Sequence, residues 1–521
     1  MPSLAYERTP GAVSRPLPAT YRRHEPEKTV LYEAVAGHLE TFLEEAREKS
    51  ASGRGCPEFV ERDFRRYLSC GILARGFARL RCPSCGSERL VAFSCKGRLC
   101  PSCWARRMAD TAAHLVDRVL PEAPYRQWVL TFPWSLRLAI AMDKTLLAAM
   151  LRVHFRTLFA WQRRRGRALG IRGETGAVTF IQRFGGALNT NPHAHSIVPD
   201  GLFVIGENGR LTFVPLPPPS DEEVEELTQR LAARLGDLAQ RRCAAAADMP
   251  LEDDDALLSA AVSEAQWVPR TGNLFDDFAV AEKKPLCAKV DGFTLHAARV
   301  VEAHDRDGLE KLIRYGLRAP FALDRFSLDP DGRVRYQLTK PWPTPEGKTE
   351  LCFEPPALLR RLAALIPAPY SNLVRYHGAF ANRSRYRALL PPPPAAKAAE
   401  PPLTAAPAPV PPPPLRPRRL GWAQLLRRVL DVDALTCAKC AVPMVVVAFL
   451  TDPKVVRRIL EHLKLPSVPP HVAASWQSTA APVGRSAAEE LVIDQPVYDE
   501  VDPVWIDDEA EDDPHAPRGP P

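Results

Sequence analysis

The chain has 521 residues, of which 45% are hydrophobic, and its 69 Lys and Arg against 62 Asp and Glu give a formal net charge of +7. That length and apolar content fit about two to four cored domains and exclude a single compact one; the modest basic excess admits a polyanionic partner without requiring one. No run of about 18 apolar residues offers a membrane span and the N-terminus has no signal-peptide core, so a cytoplasmic location is expected, in which the 12 cysteines are thiols or metal ligands rather than disulfides.

In chain order, residues 1–27 are expected to be disordered. Residues 28–68 read as two helices, with Val60, Phe64, Tyr67 and Leu68 at helical spacing, and 70–103 is cysteine-rich. "RQWVLTFPW" (126–134) alternates like a strand, and 142–170 reads as a long amphipathic helix with a basic end, "WQRRRGR". "AVTFIQRF" (177–184) and "HAHSIVPDGLFV" (193–204) look like neighbouring strands joined by the turn formers of "GGALNTNP". Ser220 and Glu223 form a capping box for a helix reaching about Arg242, and 243–285 reads as an insertion. A strand over 293–301 precedes a helix near Asp307 to Gly316, closed by Gly316 and Pro320. A "DPDG" turn (329–332) then joins two strand-like runs.

The sharpest boundary is "PPPPAAKAAEPPLTAAPAPVPPPPLRP" (391–417). Proline at this density joins neither a sheet nor a helix interior and forms a semi-rigid spacer. A small domain is expected at 418–466, followed by a disordered acidic tail at 467–521. The clusters "WARRM" (104–108) and "WQRRRGR" (161–167) read singly as solvated helix faces.

Cys82 and Cys85, then Cys100 and Cys103 after fourteen intervening residues, form two C-x2-C knuckles. Together they have the spacing of a closed, structural tetrahedral Zn²⁺ site with no open position for catalysis. Cys95 and Cys70 lie close enough in sequence to extend it toward a second ion, although Cys70 is also readable as a small buried hydrophobe. The lone knuckle of Cys437 and Cys440 cannot close a site alone; it needs partners from elsewhere or is a remnant.

In an extended strand His193 and His195 share one face, because successive side chains alternate. Two imidazoles so placed can grip one metal ion. Taken alone, the pattern is more often a half-buried strand with incidental histidines.

"CPSCGSERLVAFSCKGRLCPSCWARR", "AVTFIQRFGGALNTNPHAHSIVPDGLF", "FTLHAARVV" and "LEKLIRYGLRAPFALDRFSL", in that order, resemble the rolling-circle transposases of bacterial insertion sequences of the IS91 type, whose active sites carry a histidine, hydrophobic residue, histidine motif. The resemblance covers about 70–390, with a looser echo at 420–465. It implies that His193 and His195 hold Mg²⁺ or Mn²⁺, with Gln182 as the candidate third ligand and Asp200 as an alternative. It implies that Tyr315 is the nucleophile, forming a 5′-phosphotyrosine on single-stranded DNA at element ends. Beside it, Arg314 and Arg318 are candidate phosphate clamps, since guanidinium can grip phosphate bidentately, and Lys311 a further DNA contact, with solvated helix-face charges as the equal alternative. Many members carry two tyrosines four residues apart; Lys311 stands at the earlier position here, which points to the single-tyrosine subgroup. Phe77 and Leu99 stand where the family often has histidine, which argues against a second zinc. His296 ranks next as a sheet-facing ligand, with a core histidine as the rival reading, while Tyr376 and His377 match the family pattern without an assigned role.

The expected fold class is α+β. A helical, zinc-binding DNA-binding domain (28–122) precedes an antiparallel-sheet nuclease domain (123–390), then the linker and small C-terminal domain. The expected activity is cutting and rejoining of single-stranded DNA by a transposase, with room for a homo-oligomer and no membrane partner. Two rivals are a plasmid or phage replication initiator or relaxase of the same chemistry, and an inactive zinc-dependent DNA-binding protein.

Overall fold

The computed structural model describes residues 19–20, 23–50, 53–246, 284–339, 341, 347–394, 423–425, 428, 432–433 and 435–474. The expected insertion, linker and acidic tail therefore lie largely outside the described residues, and so does most of the expected N-terminal disorder. Residues 23–27 depart from that last expectation: Arg23 pairs with Glu27 at 2.6 Å, and Pro26–Lys28 is a short 3-10 turn.

The first helices are α1 (Val30–Lys49) and α2 (Glu58–Ser69). The Thr29 hydroxyl caps α1 by accepting from the Tyr32 N–H. Leu31, Val35, Leu39 and Phe42 form its buried stripe, facing Val60, Phe64 and Tyr67 of α2. A hairpin of β1 (Phe77–Arg81) and β2 (Glu88–Ala92) follows, then α3 (Pro101–His114).

The central body is an antiparallel sheet. Its strands are β3 (Tyr125–Thr131), β4 (Gly176–Phe184), β5 (Thr190–Pro199), β8 (Cys287–Val290), β9 (Phe293–His296), β10 (Val300–Val301) and β14 (Val374–Gly378). The order is β14-β4-β5-β3-β9-β8, with β10 also pairing β3. Thus the histidine-bearing β5 is flanked on both sides, by β4 and β3. Two expected strands are divided. The 193–204 run breaks at Asp200 into β5 and β6 (Gly201–Ile205), and β6 pairs with β7 (Leu211–Pro215); the 293–301 run splits into β9 and β10. At the break, the Asp200 carboxylate takes two hydrogen bonds from Arg126 at 3.0 and 2.6 Å.

One sheet face, with Trp128, Leu130, Ile181, Ala194 and Val198, packs in the large core with α5 (Lys144–Ala168) and α6 (Asp221–Ala246). Trp128 and Trp161 meet edge-on at 5.6 Å. Helix α4 (Trp134–Met142) intervenes between β3 and α5. The predicted capping box closes α6: the Glu223 N–H donates to the Ser220 hydroxyl, and the Ser220 N–H donates to the Glu223 carboxylate.

Against the opposite face lies α7 (Arg306–Tyr315), whose Leu309, Leu312 and Ile313 share a cluster with Val178, Phe180 and Ile197. The Asp305 carboxylate caps α7, and Arg306 anchors its start on the Pro121, Val116 and Leu120 carbonyls. A hairpin sheet of β11 (Phe326–Leu328), β12 (Val334–Gln337) and β13 (Glu350–Phe353) precedes α8 (Pro355–Leu365), which rests on α1.

The expectation of a separate C-terminal domain is corrected. Strand β15 (Val445–Leu450) adds to β1, giving the order β15-β1-β2, and α9 (Pro453–His462) buries Val456 and Leu460 against Leu73 and Phe77. The C-terminal segment is thus part of the N-terminal module.

Candidate functional site

Strand alternation puts His193, His195 and Ile197 on the α7 face of β5 and Ala194, Ser196 and Val198 on the other. Register then decides the neighbours. Gln182 of β4 stands opposite His193, and Phe180 opposite His195; on β3, Thr131 and Val129 face the two histidines. Directly opposed residues of antiparallel strands project to the same face, so Gln182 shares the imidazoles' face.

Both imidazoles are buried, at 4% and 0% exposure, with ring centroids 5.1 Å apart. The Nδ1–H of His193 donates to the Asn191 carbonyl at 2.6 Å. A carbonyl can only accept, so Nε2 of His193 keeps its lone pair. The Gln127 amide nitrogen lies 3.1 Å from Nδ1 of His195 and, as an N–H group, donates to it; turning that amide end for end would let its oxygen accept from Nδ1–H and give His195 the tautomer of His193. Nε2 of His193, Nε2 of His195 and Nε2 of Gln182 are all buried without a hydrogen-bond partner. Buried polar atoms are rarely left so, and three on one face fit a group that binds them.

Burial holds both imidazoles neutral. It pushes His193 down to about 4, with Arg137 and Arg318 adding to the effect, and it drives His195 well below the ordinary histidine range, helped by His193, Arg318 and His296. Neutral imidazole is the metal-binding form.

Tyr315 is the last residue of α7 and approaches from the same side. Its ring stands edge-on to His195, with centroids 6.3 Å apart and planes at 89°. Gly316 permits this approach, because a Cβ there would lie 2.5 Å from Cδ2 of Phe180. Lys311 is exposed and Arg314 and Arg318 half-buried; Arg318 is near enough to both histidines to perturb them. His296 pairs in register with Val129 and so shares the site's face. Asp200, the alternative ligand, is engaged by Arg126 instead. Asn191 and Gln127 are site residues that sequence reasoning missed. Asn191 lies inside the quoted motif, while Gln127 has no signal beyond its place in an alternating strand.

The cysteines group differently from their order in sequence. Cys70, Cys95, Cys100 and Cys103 form one cluster and Cys82, Cys85, Cys437 and Cys440 another; within each, the sulfurs lie within 4.8 Å of one another. The expected union of knuckles 82/85 and 100/103 in one site is thereby corrected, and Cys70 and Cys95 are full members of the first cluster. There the N–H groups of Cys95, Lys96 and Gly97 donate to sulfur at 3.3–3.4 Å, which favours thiolates. Asp63 fixes the loop by accepting from the Arg98 N–H at 2.7 Å.

Two family models match the chain in order: a transposase zinc-binding domain over residues 38–132, and the Y2_Tnp transposase over residues 176–387. These matches support an IS91-family transposase with an N-terminal zinc-binding domain.

Among curated relatives, the chain is similar to the transposase for insertion sequence element IS801 of Pseudomonas savastanoi pv. phaseolicola, at 29% identity over 151 residues, 28% of this chain. The match spans 35% of that relative's length. No solved structure matches. The first cysteine cluster lies wholly within the zinc-binding match, and four thiols at this spacing fit structural zinc. The second cluster takes two of its members from outside both matches. No helix among the described residues is long and apolar enough to cross a membrane.

The chain also has a cleft of about 350 Å³ where its zinc-binding module meets the segment after α8. Arg62, Arg66, Lys96, Arg98 and Arg107 line it, with Tyr370 at its edge. Tyr370 is 76% exposed and its backbone is left-handed, at φ +60°. That conformation costs a non-glycine residue roughly 1–2 kcal/mol, a strain of the kind found at ligand-contacting positions.

Proposed function

We propose that this protein is a transposase that cuts and rejoins single-stranded DNA at element ends through Tyr315. The edge-on approach of Tyr315 to His195, beside buried ring nitrogens without partners, is the observation that carries the reading. His193 and His195 would hold a divalent cation through Nε2, and Gln182 would turn its amide oxygen toward it. When bound, Mg²⁺ or Mn²⁺ supplies charge stabilisation at the scissile phosphate oxygens.

The chain's own residues do the rest. The Tyr315 oxygen forms a bond to phosphorus as the bond from phosphorus to the 3′ oxygen breaks. The 3′ oxygen leaves with a proton while the phenol gives one up, leaving a 5′-phosphotyrosine and a 3′-hydroxyl. Ester exchange conserves bond energy, so attack by a hydroxyl on the phosphotyrosine reseals DNA without a nucleotide cofactor. Arg318, close to both histidines, is placed to hold a phosphate, and guanidinium does so bidentately. With lysine at 311, one tyrosine is available on this helix, so a second hydroxyl must come from DNA or another subunit. The cationic cleft with Tyr370 has the makings of a single-strand track, in which charge follows the backbone and an aromatic ring stacks a base.

The test is covalent capture of a single-stranded element-end oligonucleotide by the full chain in Mg²⁺ or Mn²⁺. Tyr315→Phe is expected to abolish capture while retaining oligonucleotide binding, and His193→Ala to lower it at least 100-fold, on the order of the loss of one transition-state stabilising group. Undiminished capture by Tyr315→Phe would refute the proposal.

A further inference from the structure

The second cysteine cluster is assembled from residues more than 350 positions apart. Sγ of Cys82 and Sγ of Cys440 lie 3.3 Å apart, with Cys85 at 3.6 Å from Cys437 and 3.7 Å from Cys440. A disulfide needs about 2.05 Å. Four thiolates about 2.3 Å from one tetrahedral ion stand about 3.8 Å from each other, and the observed spacings approach that value.

The two halves are built alike. The Gly86 N–H donates to the Cys82 carbonyl at 3.0 Å and the Ala441 N–H to the Cys437 carbonyl at 2.9 Å; the Cys82 N–H donates to the Ser87 carbonyl at 2.8 Å and the Cys437 N–H to the Val442 carbonyl at 2.9 Å. The residue after each second cysteine has positive φ, +69° at Gly86 and +54° at Ala441. Each knuckle is therefore a tight loop turning two sulfurs to one side, and the loops face each other. At Ala441 the left-handed backbone is held without glycine, so the turn is imposed by its surroundings.

Among the described residues, the buried apolar cluster at the knuckles is small, made of Leu80, Cys82, Cys437 and Met444. Beyond it, β15 pairs with β1 through a register shift between Val446 and Ala448, and exposes Val445, Val447 and Phe449. Such a small core depends on a metal for its order.

We propose that Cys82, Cys85, Cys437 and Cys440 bind a second zinc ion, which clasps the C-terminal segment onto the N-terminal module across the whole catalytic domain. Each thiol releases its proton to solvent on binding, and no oxidant is involved. The four thiolates fill the coordination sphere, so the ion is structural. The clasp makes β15 and α9 part of the zinc-binding module, with the catalytic sheet as the loop it closes.

Zinc per chain, measured on the dialysed full-length protein, tests the clasp. Wild type is expected to hold two ions, one per cluster. Cys437→Ser with Cys440→Ser, and separately Cys82→Ser with Cys85→Ser, should each leave one, while Cys287→Ser should leave both. A second measurement needs no variant: zinc loading should protect Cys437 and Cys440 from iodoacetamide, and chelation should expose them. Two ions surviving loss of the C-terminal pair would overturn the proposal. So would unchanged alkylation on zinc loading, or a disulfide between the knuckles in an unreduced peptide map.

Discussion

The ring of Phe180 fills the space that a side chain on Gly316 would need, so closely that a Cβ there would lie 2.5 Å from Cδ2. Phe180 is also the register partner of His195, and Gly316 follows Tyr315 directly. One missing methyl group therefore sets how near the end of α7 comes to the histidine strand. Gly316 adopts φ −61°, an ordinary helical value, so it is needed for space and not for conformational freedom. Gly316→Ala should force the helix end outward at about 1–3 kcal/mol of overpacking. Covalent capture of an oligonucleotide should fall about 100-fold, as for an ångström-scale misplacement, while urea unfolding shows a folded protein. Full capture by Gly316→Ala would show that the helix end yields without moving Tyr315.

Gln127 and Gln182 flank the histidines in different roles. Gln127 bonds the far nitrogen of His195 and so holds its ring, whereas the orphaned amide nitrogen of Gln182 faces the site. Gln127→Leu should weaken divalent-metal binding about 10–100-fold, the usual cost of losing such a supporting partner. Gln182→Glu should tighten it, because a carboxylate is a harder and charged donor for Mg²⁺. Calorimetric titration with Mn²⁺ reads both, and equal affinity in all three proteins would remove the glutamines from the site.

The shared face of the histidine pair was legible in the sequence for a physical reason, whereas the role expected of Tyr315 rested on the family resemblance. Period-two alternation puts residues 193 and 195 on one face whatever the strand's partners, and the helix ending at Gly316 is bounded by local stop signals. The cysteine partition was not legible. C-x2-C spacing dictates that Cys82 and Cys85 point together, but not which knuckle they meet, and the answer lies beyond the proline-rich stretch, at Cys437 and Cys440. For the same reason the C-terminal segment read as a domain of its own: the edge of β1 that receives β15 is visible only in three dimensions. Gln127 escaped notice because its role depends on the register between β3 and β5.

Tyr370 and the cations beside it make the cleft's contribution separable by salt. Tyr370→Ala should weaken single-stranded oligonucleotide binding by about 1–3 kcal/mol, the usual worth of one stacked base, with the salt dependence unchanged. Arg66→Ala, which removes one exposed cation from the cleft wall, should instead flatten the slope of log affinity against log salt by about 0.7. Fluorescence anisotropy across a salt series distinguishes the two effects. Wild-type affinity and slope in both variants would place the track elsewhere.

His154 of α5 is buried and His377 of β14 half-buried, on the sheet face away from His193 and His195; both ring nitrogens of His154, and Nε2 of His377, have no hydrogen-bond partner. Burial lowers His154 to about 4 and His377 to about 3, with the neighbouring His154 adding to the latter shift. An unfolded chain takes up these protons near pH 6.5 and the folded protein does not, so the unfolded state binds more protons below that pH. The stability is fully present above pH 6.5 and is lost as pH falls toward the folded values. For His154 the shift of about 2.5 pH units amounts to roughly 3 kcal/mol once protonation is complete. The urea midpoint of the wild type should thus drop between pH 6.5 and 4.5, and His154→Leu should shrink that drop while costing little at pH 8, where the imidazole was already neutral and unpartnered. An acid dependence identical in His154→Leu and wild type would assign the loss to other groups.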